Sequence, residues 1–303
     1  MKLLTLITCF TCLSLLAFHT AKAQGCSDAG LCTMPGTQSH HEDTVQHAHL
    51  LSIGAVIGQA DNNITATTIH LEYAYKINQY HTIATKVSAI NQTGNNISLS
   101  GLSDLIFNYQ YRTSQRHQFI LGIKVPANNA NRTRQNAPLP MDYQSSLGTF
   151  DLLLSYIYNY RNLELTLGFQ QPLTQNKNSY LAINQIQFNQ IVAFNSTNQF
   201  NRAADLLLRM AWRQSLTTKW SITPSLLPIY HIANDTYLNL DKNRETINGS
   251  KGLTLNANIQ LGFQPSNKIR LQAFIAAPLT VRQARPDGLT RSTVAGINAG
   301  FAF

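Results

Sequence analysis

The sequence predicts an all-β protein: a transmembrane, antiparallel, up-and-down β-barrel of about 12 strands that follows a short amino-terminal segment. Three observations predict this fold: an export signal, a series of runs in which apolar and polar residues alternate, and a final run that ends on Phe303. In that final run Ile297 and Phe301 share one face, while Gly296 and Asn298 share the other. Alternation with a period of two indicates a strand whose two faces meet different surroundings. A closing strand with an aromatic carboxyl terminus is typical of barrels in the bacterial outer membrane.

Residues 1–23 have the features of a secretory signal peptide. Lys2 supplies a short positive region, residues 3–18 are mostly apolar, and Ala21 and Ala23 form a small-x-small cleavage site. The apolar stretch is shorter than the roughly 20 residues that a membrane-spanning helix needs. We therefore expect the chain to be exported and this segment to be removed.

The next segment, residues 24–47, precedes the predicted barrel of residues 48–303. We expect Cys26 and Cys32 to form a local disulfide in an oxidising periplasm. A lipoprotein acylated at Cys26 is the weaker alternative, because no leucine lies three residues before it. Imidazole groups in and just beyond this segment can bind Zn²⁺ or Cu²⁺, though only weakly, because their spacing fits no structural-zinc pattern. The candidate metal ligands are His40, His41, His47 and His49, and we expect no other cofactor.

The composition argues against an ordinary water-soluble protein and against nucleic-acid binding. Charged residues make up 12% of the chain, which is about half of the usual share. Lysine and arginine number 23 against 14 acidic residues. These basic residues are spread along the chain without a Lys/Arg run, so we expect no nucleic-acid partner.

Beyond the amino-terminal segment the chain divides into alternating runs whose lengths suit membrane-crossing strands of roughly 9–11 residues. One face carries bulky apolar side chains, for example Leu253, Leu255 and Leu261, and the other carries polar ones, for example Asn256 and Asn258. The predicted strands are 48–59, 64–78, 80–91, 97–112, 116–125, 146–160, 162–172, 200–214, 217–231, 250–263, 267–278 and 291–303.

The connections between these strands alternate between short and long. Joins such as 113–115 and 264–266 are tight, whereas 173–199 and 232–249 are long. Bacterial barrels place short turns on the periplasmic side and long loops outside. We therefore expect a location in the bacterial outer membrane with both termini in the periplasm. We also expect the carboxyl-terminal strand to be the contact with the barrel-assembly machinery.

Aromatic residues lie at the strand ends that meet the short joins. We expect them to form a ring at the periplasmic interface, where amphipathic rings prefer the headgroup level. A β-sandwich shows the same period of two, but its core would not confine aromatic residues to one end. Pro224 and Pro228 each remove a backbone donor, so we expect a bulge or an early strand end near them. The predicted ring is Tyr75, Tyr109, Tyr111, Phe119, Tyr158, Tyr160, Trp212, Trp220, Phe263, Phe301 and Phe303.

Charged residues on the opposite faces of the runs are expected to line the lumen. One interpretation is a polar channel or binding surface, and the other is that opposite charges pair across strands and fill a narrow barrel. An interior of this size can hold either a thin pore or a plug. The candidates are His70, Glu72, Lys76, Lys86, Asp104, Lys124, Asp151, Glu164, Asp205, Arg209 and Arg270.

Three motifs between residues 101 and 151 resemble a known family. Residues 101–112, GLSDLIFNYQYR, resemble its G-x-G-D … Y-x strand, and residues 121–126, LGIKVP, resemble its G-x-K-x-P-T-G strand end. Residues 139–151 resemble its Q-x-G-x-G-S-x-D entry to the next strand. The family is the MetA-pathway phenol-degradation type of outer-membrane transporters, related to FadL-like hydrocarbon channels. The chain departs from the motifs at Ser103, which replaces a glycine, and at 127–128, where Ala-Asn replaces Thr-Gly.

The resemblance implies a barrel that passes small hydrophobic compounds. We therefore expect an outer-membrane channel, surrounded by outer-membrane lipids, that passively passes a small hydrophobic or aromatic solute. The alternative is a plugged barrel with a structural or metal-sensing role, in which residues 24–47 enter the lumen as the hatch of FadL-like proteins does. We do not expect an enzyme, because a phospholipase-type site at His231 would need a serine where Ala233 stands.

Overall fold

The computed structural model describes residues 34–36, 47–183, 194–288 and 291–303. It is all-β and forms a closed antiparallel barrel of 12 strands, as predicted. In the part of the chain that is described, no helix is long and apolar enough to cross a membrane. The strands are β1 His49–Ala60, β2 Thr65–Lys76, β3 His81–Gly94, β4 Ile97–Leu102 with Leu105–Arg112, β5 His117–Val125, β6 Asp151–Tyr160, β7 Leu163–Pro172, β8 Asp205–Trp212 with Gln214–Ser215, β9 Trp220–His231, β10 Gly252–Ser266, β11 Ile269–Thr280 and β12 Arg291–Ala302.

The barrel closes because the first and last strands pair with each other. Every other strand pairs with its neighbour in sequence, and β1 pairs with β12 from Leu50↔Ala302 to Ala60↔Arg291. A closed sheet pairs backbone N–H and C=O groups between strands without leaving an edge, which is what a hydrocarbon surrounding requires. The carboxyl-terminal strand is therefore the strand that closes the barrel.

The two ends of the barrel differ in the length of their connections. Both β1 and β12 have their terminal residues at the end with short joins, where the backbone N–H of Phe303 donates to the carbonyl of His49 at 3.0 Å. We call this the short-turn end and the other the long-loop end. The short joins are 77–80, 113–116, 161–162, 216–219 and 267–268. The longest connections at the other end are 126–150, 173–204, 232–251 and 281–290.

The expected bulge or early strand end near Pro224 and Pro228 is wrong. β9 runs through both prolines to His231, and its register with β10 is continuous, with Pro224 opposite Ile259 and Pro228 opposite Leu255. The physical reason is that the two prolines are four residues apart, so both ring nitrogens face the same neighbouring strand. That strand is β8, whose pairing with β9 is interrupted between Leu207↔Ile229 and Met210↔Leu226. The missing backbone N–H groups therefore affect only the pairing of β9 with β8, and the pairing of β9 with β10 stays continuous.

The barrel wall is apolar outside and mostly polar inside. Ile53, Leu121 and Ile259 are each about half exposed on the outer surface, while Asn108 and Gln118 are buried within. Water-soluble proteins rarely show so large an apolar surface, whereas a membrane-spanning barrel needs one. Near the short-turn end the exposed aromatic residues include Tyr80, Tyr109, Tyr111, Phe119, Tyr160, Trp212, Trp220, Phe301 and Phe303.

The connections at the long-loop end pack against one another. Asn178 Nδ2 donates to the carbonyl oxygens of Ala130 at 2.7 Å and Leu139 at 3.0 Å. These bonds join the connection 173–204 to the connection 126–150. We call the described parts of these connections the loop cap. Its apolar cluster consists of Ala60, Ile64, Ile97, Leu139, Tyr143, Tyr180 and Phe194.

Candidate functional site: the barrel lumen

Lys124 lies on the inner wall near the long-loop end of β5 and holds a charged group together. Its Nζ is 3.1 Å from Asp104 Oδ2 and 2.9 Å from Asp151 Oδ2, and the lysine is fully buried. These three residues come from the three motifs that carry the family resemblance. Strand register explains their meeting, because Lys124 on β5 lies opposite Ile106 on β4 and Asp151 on β6. The motif residues therefore form one ion-paired group in the lumen.

Most of the other predicted lumen residues also lie inside the barrel and form pairs. Glu72 Oε1 is 3.0 Å from Lys86 Nζ and 3.8 Å from His70 Nε2. Arg209 Nη1 donates to Glu164 Oε1 at 2.5 Å. These contacts join neighbouring strands, so this part of the wall is held by cross-strand ion pairs.

Asp205 lies at the long-loop end, in a buried charged group. It pairs with Arg202 and with His231 Nδ1, the latter at 2.6 Å, and His231 Nε2 is 2.8 Å from Asp235 Oδ1. The imidazole of His231 thus points inward between two carboxylates. The neighbouring loop-cap residue Asp287 is 2.6 Å from Arg282.

The pKa of Asp287 is set by two opposing effects. Burial raises it, but the guanidinium groups of Arg282 and Arg202 outweigh burial and hold the pKa well below its usual range. Asp287 is therefore an anion that anchors two arginines of the loop cap.

The inner wall also carries an apolar patch, which the sequence analysis did not identify. Ile106 and Ile120 on β4 and β5, Leu153 and Ile157 on β6, Leu207 on β8 and Leu227 on β9 all point inward and are nearly fully buried; we call them the inner patch. The signal was present in β5, where Ile120 interrupts an otherwise polar inward face. An apolar surface in a polar lumen is unfavourable unless something covers it.

Met34 covers the inner patch. Its side chain is 1% exposed and belongs to the same buried apolar cluster. Gly122 on β5 makes room for it, since a Cβ atom there would lie 2.8 Å from the Met34 sulfur. Residues 34–36 of the amino-terminal segment therefore lie inside the barrel.

Polar contacts hold the same three residues. The carbonyl oxygen of Pro35 accepts hydrogen bonds from Asn108 Nδ2 at 3.1 Å and from Gln110 Nε2 at 3.2 Å. Gly36 has a φ of +87°, and a Cβ atom there would lie within 3 Å of the Gln110 amide. Only glycine adopts this conformation readily and leaves that space. Below Gly36, towards the short turns, Lys76 and Arg270 line a cavity of about 190 Å³.

The predicted metal and disulfide residues fall mainly outside the described residues. This holds for Cys26, Cys32, His40 and His41. His49 begins β1, where its Nδ1 is 2.7 Å from the Tyr73 hydroxyl on the outer surface, and His47 lines the cavity below Gly36. Across the described ranges, no group of three or more His, Cys, Asp or Glu residues could hold a metal ion.

The fold and its surfaces define the class of protein: a transmembrane β-barrel with a segment of its own chain in the lumen. No protein-family model matches the sequence. The curated proteins give no match either.

Several solved structures are similar to the chain in overall fold. The translocator domain of the autotransporter NalP from Neisseria meningitidis is 10% identical, with a TM-score of 0.48, covering 86% of this chain and 90% of that one. A mutant of the TodX monoaromatic hydrocarbon channel is 9% identical, with a TM-score of 0.46, covering 93% and 96%. The KdgM porin in complex with oligogalacturonate is 8% identical, with a TM-score of 0.45, covering 84% and 99%. No family model supports the phenol-degradation resemblance.

Proposed function

We propose that the protein is an outer-membrane channel that passively passes a small apolar or aromatic solute, and that residues 34–36 close it. One observation carries the proposal: the inner patch lies in an otherwise polar lumen and is covered by Met34, which belongs to no strand of the wall. Met34 belongs to a segment that enters the lumen, so its withdrawal would expose the patch without disturbing any strand.

A small apolar solute suits the space that Met34 occupies. The patch is lined by aliphatic side chains from both halves of the barrel, which favour an apolar occupant by burial of surface at about 25 cal/mol per Å². A solute of about the size of the methionine side chain would regain the same burial. Solute and plug would then compete for one site, and binding of the solute would favour the open barrel.

The proposed location is the outer membrane, with the short-turn end in the periplasm. The signal peptide, the apolar outer wall and the short turns beside both strand termini support this orientation. The barrel-assembly machinery is the expected partner of β12. We do not propose an enzyme, because His231 is engaged inside the barrel rather than presented on the outer surface.

The alternative is a barrel that stays plugged and serves a structural or metal-binding role. The observation that favours it is the number of lumen contacts: ion pairs on the wall, the hydrogen bonds to Pro35 and the packed loop cap. Its metal-binding part rests on His40, His41, His47 and His49, of which His40 and His41 lie outside the described residues.

Uptake by cells tests the proposal against this alternative. A lipopolysaccharide leaflet resists apolar solutes, so Gram-negative cells that express the protein should take up a radiolabelled monoaromatic compound several-fold faster than cells without it. Ile120→Asn combined with Leu153→Asn makes the inner patch polar and should remove that gain. Ser88→Asn, an inward polar residue of β3 outside the patch, is the matched control and should keep it.

Folding of each variant is checked by the change in gel mobility on heating that intact barrels show. Equal uptake with and without the protein, in cells where the barrel is folded, would contradict a channel. Equal uptake by the folded patch variant and the Ser88→Asn control would contradict the role of the inner patch.

A further inference from the structure

Three strands of the barrel begin with the same arrangement of residues. β1, β3 and β5 each start with a histidine on the outer surface at the short-turn end. Each histidine lies directly opposite the second tyrosine of a Tyr-x-Tyr sequence on a neighbouring strand. The pairs are His49↔Tyr75, His81↔Tyr111 and His117↔Tyr158.

The geometry of the three pairs is also similar. Each imidazole lies against the tyrosine opposite, with ring centroids 5.0, 5.1 and 5.2 Å apart in chain order. The rings of the first two pairs are stacked, and those of His117 and Tyr158 are tilted by 42°. Each Nδ1 also bonds the hydroxyl of the first tyrosine of the Tyr-x-Tyr sequence. For His49 and Tyr73 the distance is 2.7 Å, and for His117 and Tyr156 it is also 2.7 Å. The third bond joins His81 and Tyr109.

This bonding pattern determines what each imidazole can offer to a neighbour. A tyrosine hydroxyl that donates to Nδ1 leaves the proton of a neutral imidazole on Nε2. Contact with the second tyrosine then orients the ring. Each unit therefore holds one N–H donor and one phenol oxygen at the rim of the barrel, and the same donor set occurs three times.

The short turns next to these units are basic and contain no acidic residue. Residues 77–81, 113–117, 161–162, 213–219 and 264–268 include no aspartate or glutamate. Their basic residues are Arg116, Arg161, Arg213, Lys219 and Lys268. The loops at the other end contain six acidic residues, Asp61, Asp142, Asp235, Asp241, Glu245 and Asp287, and nine basic ones, Arg132, Arg134, Lys177, Arg202, Lys242, Arg244, Lys251, Arg282 and Arg285. Both ends therefore carry a net positive charge, but only at the end with the His–Tyr units do the turns hold no carboxylate to offset it.

An apolar groove on the outer wall starts at two of these units. It is lined by Tyr73 and Tyr109, the tyrosines that bond His49 and His81, and it continues past Ile83, Phe107, Leu121 and Ile123. Its volume is about 530 Å³. A groove of this kind suits an acyl chain, with donors and positive charge at one end of it.

We propose that the His–Tyr units and the basic short turns bind the phosphate headgroups of anionic phospholipids, whose acyl chains lie along the groove. The ligand class is a diacyl phosphate ester with net negative charge. The imidazole Nε2–H groups donate to phosphate oxygens, and the arginines and lysines supply the charge attraction that a juxtamembrane basic surface exerts on an anionic leaflet. A phospholipid fits better than an acidic protein because the donors lie on the outer wall of β1 to β6, directly beside its apolar surface.

Native mass spectrometry of the full mature protein, released from bilayer discs, tests this proposal. The discs contain equal amounts of phosphatidylglycerol and phosphatidylcholine. The expected result is at least five-fold more retained phosphatidylglycerol than phosphatidylcholine. His49→Phe, His81→Phe and His117→Phe together keep the stacking but remove the donors, and should lower phosphatidylglycerol retention at least five-fold.

A matched pair of charge variants locates the site. Arg161→Gln with Lys219→Gln at the short-turn end should lower phosphatidylglycerol retention, and Lys242→Gln with Lys251→Gln at the long-loop end should leave it unchanged. Equal retention of the two lipids, or equal loss in both charge variants, would overturn the proposal. So would loss of the retained phosphatidylglycerol in a second set of discs that also contains lipopolysaccharide, because the ligand would then be the other leaflet's lipid.

Discussion

Replacement of Met34 by alanine should open the barrel. Met34 is 1% exposed and is held by the inner patch, and a buried Met→Ala change costs about 2–5 kcal/mol. Water can refill a lumen, so we take about 2–3 kcal/mol. The two hydrogen bonds to Pro35 remain and contribute about 1 kcal/mol each. At about 1.4 kcal/mol per factor of ten, the ratio of open to closed barrels should rise about 30- to 150-fold.

Single-channel recording in planar bilayers measures this ratio directly as the fraction of time spent in the conducting state. Met34→Leu keeps a similar apolar volume and should behave like the unchanged protein. Met210→Ala is the matched control, because Met210 lies on the outer wall of β8 and is 36% exposed. An unchanged open fraction in Met34→Ala would refute the reasoning, as would an equal rise in Met210→Ala.

Three further predictions concern the ion pairs of the inner wall, the packing of Met34 and the loop cap. Lys124→Met should leave the buried Asp104 and Asp151 carboxylates without their cation and destabilise the barrel by about 3–5 kcal/mol, measured as a lower urea midpoint; the turn variant Lys268→Met should not change it. Gly122→Ala puts a Cβ 2.8 Å from the Met34 sulfur and should raise the open fraction in single-channel recordings. An unchanged open fraction would contradict the packing of Met34 against Gly122. Burial raises the pKa of Asp142 to about 7, so hydrogen exchange of residues 126–150, corrected for intrinsic rates, should be slower at pH 5 than at pH 8, and Asp142→Asn should abolish that difference.

The direction of the Asp142 effect follows from linkage. A carboxyl whose pKa is raised in the folded state stabilises the fold fully below its ordinary pKa of 3.8, and that stabilisation is lost as the pH rises through about 7. The stabilisation lost over the whole span from pH 3.8 to about pH 7 is at most about 4 kcal/mol, at 1.36 kcal/mol per pKa unit. Asp287 has the opposite dependence, because its pKa is lowered, but its contribution changes only below about pH 4. Faster exchange at pH 5 than at pH 8 would contradict the assignment.

The strands could be predicted from the sequence because their pattern is local. Alternation gives nearly the observed bounds for β7, predicted at 162–172 and found at Leu163–Pro172. The prediction begins too early for β6, which starts at Asp151 rather than at 146, because Gly148 with a φ of +69° interrupts the extended backbone. Periodicity shows which face of a strand a residue occupies. It does not show at which residue the loop ends and hydrogen bonding between strands begins.

The lumen contacts could be predicted only in part. The inward position of Lys124 follows from the alternation of β5, but its pairing with Asp104 and Asp151 depends on the register of three strands. Met34 carries no periodic signal, because it stands alone in a segment without a strand pattern. Its role emerges only when the inner patch from five strands is assembled around it. The His–Tyr units are equally dependent on register, since each joins residues 24 to 39 positions apart.

Nuclear magnetic resonance of methionine methyl groups tests the central claim most directly. Beyond the predicted signal peptide the sequence contains three methionines, Met34 in the lumen, Met141 in the loop cap and Met210 on the outer wall. Titration with phenol should move the Met34 resonance, with saturation, towards the position of a water-exposed methionine, while Met141 and Met210 stay in place. A Met34 resonance that does not respond, or equal non-saturating shifts of all three, would contradict an apolar-solute channel closed by this residue.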